Sequence, residues 1–279
     1  MQKKIGIIGC GTIGHELSFA IDNSSVENAA LVFLFDTITT ASLSLKDSLV
    51  NNNPATFSNF SDLISSKQFR MADIVVEAAS QGAVRAYAKK IVLSDKSLMI
   101  MSTGALSDSH LLHALYNAAT KHDGHIYVPT GAIAGIDAIC SVRHLLDFVM
   151  LTTTKNPKSL AGAPYFNLRK TKPESIKKKT LLYDGNALDA AMMFPSNINV
   201  AMVLSLAGRG ARNTKVRVIA DPRATRNEHK ITAIGKFGEI SIMVRNVPSP
   251  SNPRTSFLAS LSAIECLRRM CGNKIRIGT

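Results

Sequence analysis

Three features of this 279-residue chain combine residue type and spacing in a way that suits chemistry. The first is Gly9-Cys10-Gly11-Thr12-Ile13-Gly14, a G-x-G-x-x-G turn. Such a turn brings backbone N–H groups up to a pyrophosphate. Gly9 allows the tight turn, Gly11 keeps a side chain out of the ligand's way, and Gly14 lets the following helix sit close to the strand. Thr12 and Ile13 fall at the helix start, where unpaired N–H groups and the positive end of the dipole favour an anion. The second feature is Asp36, 22 residues after Gly14, placed to accept hydrogen bonds from ribose hydroxyls. Thr37-Ile38-Thr39 brings no arginine to receive a 2′-phosphate, so the reading is NAD, with NADP as the alternative. The third is a set of small-residue runs, Ala78-Ala79-Ser80, Ser102-Thr103-Gly104 and Gly131-Ala132-Ile133-Ala134-Gly135. They are suited to close approach by a flat ring.

These groups need elements to hold them. Lys3 to Ile8 is a short apolar strand candidate running into the glycine turn, and Ile13, Leu17, Ala20 and Ile21 follow at helical spacing. Ala30 to Phe35 is a second strand candidate ending at Asp36. Strand, glycine turn, helix, strand and acid in this order make the motif specific. Strand and helix patterns keep alternating to Val128, which predicts an α/β fold: an N-terminal Rossmann-type doubly wound parallel sheet over residues 1–133. Ligands of such sheets sit beyond the carboxyl ends of strands, so the runs at 78–80, 102–104 and 130–135 are expected to border the nicotinamide. Residues 134–253 read as a second α+β domain with a largely antiparallel sheet. Its features are a strand at Asp147–Lys155, a helix restarting with Ser196 as N-cap, and a strand at Lys215–Ala220. A hairpin then joins Glu228–Ile234 to Glu239–Arg245, and Pro248, Pro250 and Pro253 mark a loop. The segment 254–279 is expected to pack back onto the first domain as a helix.

Composition narrows the class. Hydrophobic residues make up 46% and charged residues 19%, which excludes global disorder. No apolar run reaches the roughly 20 residues of a membrane span. No targeting core precedes Gly9, so the cytoplasm is the expected location. Cys10, Cys140, Cys266 and Cys271 form no C-x-x-C pair, so free thiols and no structural metal are expected. The formal charge is +13, and residues 155–179 carry eight of the cations against Glu174 alone, a net +7. That segment holds three prolines and reads as a solvated basic loop, with an anion or nucleic-acid patch as the minor alternative.

Runs spread over nearly the whole chain resemble the L-aspartate dehydrogenase family. They include Glu77-Ala78-Ala79-Ser80, Ser102-Thr103-Gly104-Ala105-Leu106 and Gly131 to Ala138 in the first half. The more specific ones are Phe194-Pro195-Ser196-Asn197-Ile198-Asn199-Val200, Ala220-Asp221-Pro222 with Asn227-Glu228-His229, and Pro248 to Ser256. The resemblance implies oxidation of L-aspartate, or a similar dicarboxylate, by NAD(P). It places the active-site histidine at His229 and nicotinamide-side contacts at Ala132, Ala134 and Asn199. The residues alone give His229 a surface or hydrogen-bonded structural role as readily, and let Asn199 hold the carboxamide or cap its helix. For the substrate carboxylates the candidates are Arg209, Arg223, Arg226 and Lys215. A homodimer through the second domain's sheet is the expected assembly. Two rivals are another two-domain NAD(P) oxidoreductase with a different anionic substrate, and a non-catalytic NAD(H) sensor or nucleic-acid binder using the basic segment. No helix-turn-helix, RRM or zinc signature favours the last.

Overall fold

The protein was described from a computed structural model, which describes residues 2–249 and 252–272. The chain divides into two compact units. Among the described residues the first runs to Pro129 and takes in 260–272; the second is Thr130–Ala259, so the whole Gly131–Gly135 turn belongs to it.

In the first unit, strands β1 (Lys3–Ile8), β2 (Ala29–Phe35), β3 (Ala55–Phe57), β4 (Ile74–Glu77), β5 (Ser97–Ile100) and β6 (Ile126–Tyr127) form one parallel sheet in the order β3-β2-β1-β4-β5-β6. Helices α1 (Thr12–Asp22), α2 (Thr39–Asp47), α3 (Phe60–Ser65), α4 (Lys67–Met71), α5 (Gln81–Val92) and α6 (Ser109–Lys121) lie in the connections. This is the doubly wound sheet that the alternation predicts. The central strands are apolar because both faces are covered: Ile5, Ile7, Ile8, Val75 and Val76 are all buried. The strand order reverses between β1 and β4, which puts a crevice beyond their carboxyl ends. The sequence reading passed over β3 and α2. β3 has only three residues, too few for a period, and α2 (TTASLSLKD) is rich in Ser and Thr, with only Ser42 and Leu45 buried.

The second unit holds α7 (Ile136–Val142), β7 (Leu146–Lys155), α8 (Pro164–Leu168), β8 (Thr180–Asn186), α9 (Ala187–Met193), α10 (Asn199–Ala207), β9 (Lys215–Ala220), β10 (Asn227–Gly235) and β11 (Gly238–Asn246). Its sheet runs β11-β10-β7-β9-β8. Three pairings are antiparallel and β7 pairs with β9 in parallel, so the sheet is mixed at its centre. Alternation sorts its faces. Val149, Leu151 and Thr153 of β7, Val216, Val218 and Ala220 of β9, and His229, Ile231 and Ala233 of β10 are buried. Phe148, Met150 and Thr232 point the other way and stay half-buried. A two-residue turn, Lys236-Phe237, closes the β10–β11 hairpin, and Gly238 supplies the φ of +114° there.

Three expectations for this half are corrected. Residues 155–179 are not a plain solvated loop. Lys155 ends β7, as the strand reading has it, but beyond it Pro157, Leu160 and Ala163 are buried in short turns and Phe166 in α8, with Tyr165 stacked on Phe194 at a centroid distance of 5.2 Å. A few well-spaced apolar residues anchor the segment, and the density of charge hid them. Ser196 is not an N-cap: it sits in the short turn Pro195–Asn197, and α10 begins at Asn199 with no side-chain cap. The proline segment is not all loop, because β12 (Pro248–Ser249) pairs with β13 (Asn252–Ser256); Pro250 and Ser251 lie outside the described residues. The last helix, α11 (Phe257–Met270), carries Ala263 and Leu267 into the core of the first unit beside Ile5, Leu17 and Ile21. Residues 273–279 lie outside the described residues.

Candidate active site

The glycine turn has the geometry its sequence implies. Gly9 has φ +98°, and its N–H donates to the Phe35 carbonyl at 2.8 Å. A Cβ there would lie 2.6 Å from the Ala79 nitrogen, so only glycine fits. A Cβ on Gly14 would collide with the Gly9 carbonyl, whereas one on Gly11 would meet nothing within 4 Å. The first and third glycines therefore serve packing, and the second keeps open the space a phosphate would use. Thr12 and Ile13 open α1, with Ile13 leaning on the core and Thr12 half-buried.

Asp36 stands at the end of β2. Its carboxylate accepts from the Cys10 N–H at 2.8 Å and the Ile38 N–H at 2.9 Å, which fixes it and leaves acceptor capacity for a diol. Asp36, Thr37, Gly9, Ala79, Ser80 and Tyr87 line one groove. Burial, with Asp36 nearby, pushes the Cys10 thiol up to about 12, so it stays protonated and unreactive.

Ala78, Ala79 and Ser80 follow β4, with Ala79 and Ser80 exposed and Ser80 capping α5 through the Ala83 N–H. What holds this loop was missed at the sequence level. Glu77 is buried at 2% exposure, and its Oε1 accepts from the Ala79 N–H (2.9 Å), the Ser80 N–H (2.9 Å) and the Ser102 hydroxyl (2.9 Å). Its Oε2 accepts from the Ser102 N–H at 3.0 Å. One carboxylate thus ties the loop after β4 to the loop after β5. Burial pushes its pKa up, and the four donors pull it back.

In the second unit, His229 lies near the start of a strand and is buried. It is the third residue of β10, 3% exposed, opposite Thr153 of β7, whose Oγ1 lies 3.0 Å from its Nδ1. Burial, with the Lys155 ammonium adding to it, pushes His229 down to about 3, so the ring is a neutral imidazole. Lys155 follows Thr153 by two residues on the same strand face; burial lowers its ammonium to about 8. Asn246, at the end of β11 and 3% exposed, reaches the same end of the sheet and donates from Nδ2 to the Ala132 carbonyl at 2.8 Å. The structure therefore brings the Gly131–Gly135 turn to the His229 end of the sheet. In that turn both glycines are left-handed, Ala132 is buried and Ala134 is exposed. Asn199 is the exposed first residue of α10.

The cations proposed from sequence are engaged or outlying. Lys215 and Arg217 pair with Asp184 at 3.2 Å and 2.8 Å, Arg209 donates to the Asp147 carbonyl, and the Arg223 side chain is 88% exposed. The sequence reading gave Lys155 both to the strand Asp147–Lys155 and to the basic segment, and singled out neither Thr153 nor Asn246. The one signal available was the alternation of β7, which puts positions 153 and 155 on the inner face. Among the described residues no cluster of three His, Cys, Asp or Glu is placed to hold a metal, and no helix is long and apolar enough to cross a membrane.

Residues 9–129 match the family model for the homoserine dehydrogenase NAD binding domain, and residues 137–270 match the model for the C-terminal region of aspartate dehydrogenase. An L-aspartate dehydrogenase of Nitrosopumilus maritimus is 44% identical over 278 residues, covering 100% of both chains. One of Methanosarcina mazei is 44% identical over 277 residues, covering 99% of each. The crystal structure of aspartate dehydrogenase from Thermotoga maritima superposes with a TM-score of 0.76 at 26% identity, covering 100% of both chains.

Proposed function

This chain belongs to the L-aspartate dehydrogenase family, and on that premise we propose that it is an NAD-dependent enzyme oxidising L-aspartate to iminoaspartate. The product hydrolyses to oxaloacetate and ammonia or feeds NAD biosynthesis. The observation that carries the reading is the buried pair Thr153 and His229, 3.0 Å apart, with Lys155 half-buried on the same strand face, which ends an otherwise apolar sheet face in the half that matches the aspartate dehydrogenase model. NAD, when bound, supplies the hydride acceptor. Gly9, Gly11, Thr12, Ile13 and Gly14 would receive its pyrophosphate, and Asp36 its adenosine ribose. Ala78, Ala79 and Ser80 would border it in the first unit; Ala132, Ala134 and Asn199 would do so in the second. His229 would act at the reacting carbon as a neutral imidazole.

The test is NADH absorbance with NAD and L-aspartate at alkaline pH, run beside D-aspartate and L-glutamate. NADH formed on L-aspartate alone supports the reading. NAD binding with no turnover on L-aspartate, or on oxaloacetate with ammonia in reverse, overturns it.

Asp36 sets a preference that can be reversed. Replacing it by serine, with Thr37→Arg beside it, removes a charge-assisted acceptor of the 2′-hydroxyl and supplies a 2′-phosphate partner. Hydrogen bonds to charged groups contribute about 1.5–3 kcal/mol each, so kcat/KM for NADP relative to NAD is expected to rise by about 10–100-fold. An unchanged ratio in steady-state kinetics would place the ribose elsewhere.

The enzyme works as a homodimer in this proposal, in the cytoplasm. The four cysteines are free thiols, which suits a reducing compartment. The outer face of the second sheet carries Phe148 and Met150 at the centre, with Ile234 at 43% and Met243 at 49% exposure beside them. These exposed apolar side chains share the face with Glu228, Lys230 and Arg245, and such a mixed face suits another copy of the chain. Met150→Glu with Met243→Glu is expected to sediment as a monomer at concentrations where the parent is a dimer; an unchanged coefficient would rule this face out.

A further inference from the structure

Strand register puts the basic segment and His229 at one end of the second sheet. Thr180, the first residue of β8, pairs with Ala220 of β9, and Ala220 pairs on its other side with Lys155 of β7. His229 lies opposite Thr153, two residues before Lys155 on the same strand. Neighbouring strands are about 4.8 Å apart, so the Thr180 backbone stands about 10 Å from that of Lys155. Lys177, Lys178 and Lys179 lead directly into Thr180 and are all exposed. The chain between Lys155 and Thr180 is fastened to this end. Its apolar anchors are buried, and the Asn156 Nδ2 donates to the Pro222 and Ala224 carbonyls at 3.1 Å and 3.2 Å. The loop tied in this way carries Arg223 and Arg226, both exposed. Residues 156–179 hold seven cations, all exposed, against one acid, Glu174. None of the seven forms an ion pair among the described residues. The nearby acids are engaged: Asp221 accepts from the Arg223 N–H at 3.0 Å, and Glu228 binds Arg245 on the opposite face at 2.8 Å.

Lysines beside an edge strand such as β8 can serve only to stop another chain from pairing with it. That does not account for Arg223 and Arg226, because the strand they follow, β9, is an inner one. We propose that these exposed cations form an electrostatic collar that draws dicarboxylates to the His229 end of the sheet, with Lys177, Lys178 and Lys179 as its main part, and that they do so without touching the bound substrate. This rests on the aspartate-oxidation reading above. A fixed positive field raises the local concentration of an anion and its rate of association, and acts more strongly on a dianion than on a monoanion. Over about 10 Å the field is felt at low salt, where the screening length is about 30 Å at 0.01 M. It fades near 0.15 M, where that length is about 8 Å. Oxaloacetate, a dianion, is drawn more strongly than L-aspartate, whose ammonium cancels one of its two carboxylate charges. The collar therefore selects by charge before any hydrogen bond to the substrate forms.

The experiment follows initial rates of the full chain at saturating coenzyme, over ionic strengths from about 20 to about 300 mM. L-aspartate is used in one direction and oxaloacetate in the other, with the ammonium counted in the ionic strength. For the parent, kcat/KM is expected to fall about tenfold for oxaloacetate and about threefold for L-aspartate, with kcat nearly constant. Lys177→Glu, Lys178→Glu and Lys179→Glu together should flatten both slopes to within about twofold and leave kcat as it was. Lys177→Arg, Lys178→Arg and Lys179→Arg together keep the charge and should keep both slopes. A parent without salt dependence, or equal slopes in the parent and the charge-reversed protein, would overturn the proposal. So would a kcat loss of about tenfold or more in the charge-reversed protein with parental circular dichroism, since the lysines would then act on bound ligand. A parent inactive in both directions sinks the functional reading as well; an active parent with any of those results sinks the collar alone.

Discussion

His229→Ala is expected to lower kcat for L-aspartate oxidation by about 10²–10⁴-fold while NAD binding by calorimetry is retained. The residue sits in the second unit, so dinucleotide affinity, which the proposal assigns to Gly11 and Asp36 of the first, should survive. Truncation removes the buried ring that Thr153 orients at 3.0 Å, and with it the imidazole beside Lys155. Turnover within about threefold of the parent would return His229 to a structural role. The same substitution has a pH signature. In the folded chain the imidazole takes a proton only near 3, but in the unfolded chain near 6.5. Between those values the unfolded state binds the proton and the folded state does not, so stability falls as pH drops through that window. In the alanine protein this part of the acid sensitivity disappears, which urea unfolding at pH 7 and pH 4.5 would register.

Glu77→Ala should be the most damaging change in the first unit outside its hydrophobic core. It strands the N–H groups of Ala79, Ser80 and Ser102 and the Ser102 hydroxyl, all now accepted by one carboxylate. Each stranded donor costs about 1–3 kcal/mol when water cannot reach it, and Ala79 and Ser80 are exposed enough to recover part of that, so a loss of about 3–5 kcal/mol is expected. The two loops it ties follow β4 and β5, where ligands of this sheet type bind, so KM for NAD should rise well above tenfold in whatever fraction folds. Glu77→Gln separates the effects. Its amide oxygen can keep the 79–80 turn, but its NH₂ faces the Ser102 N–H. A glutamine protein with parental stability and parental KM would show that the negative charge positions nothing.

The first unit was legible because glycine spacing, parallel-strand apolarity and the acid after β2 each have one physical cause, and all point to the same sheet. Asp36 and the three glycines were readable as a site for that reason. Glu77 was readable only as part of a small-residue run, since nothing in E-A-A-S says that a carboxylate at a buried strand end will turn inward to collect four donors. His229 needed the resemblance. A lone histidine in a polar stretch has no spacing partner, and the residues that give it meaning, Thr153 and Lys155, lie more than seventy positions earlier and meet it only through strand register. Lys155 was legible as a strand's last residue, but the charge density of the segment after it hid that it shares a face with Thr153.

The first unit is not continuous along the chain. Ala263 and Leu267 of α11 fill its core against β1 and α1, and the whole of the second unit lies between them and Pro129. During synthesis the glycine turn and its sheet leave the ribosome early, yet Leu17 and Ile21 lack their last apolar cover until some 130 further residues have followed. A nascent chain of this protein would therefore carry an unfinished dinucleotide fold for most of its translation, and acquire affinity for its coenzyme only at the end.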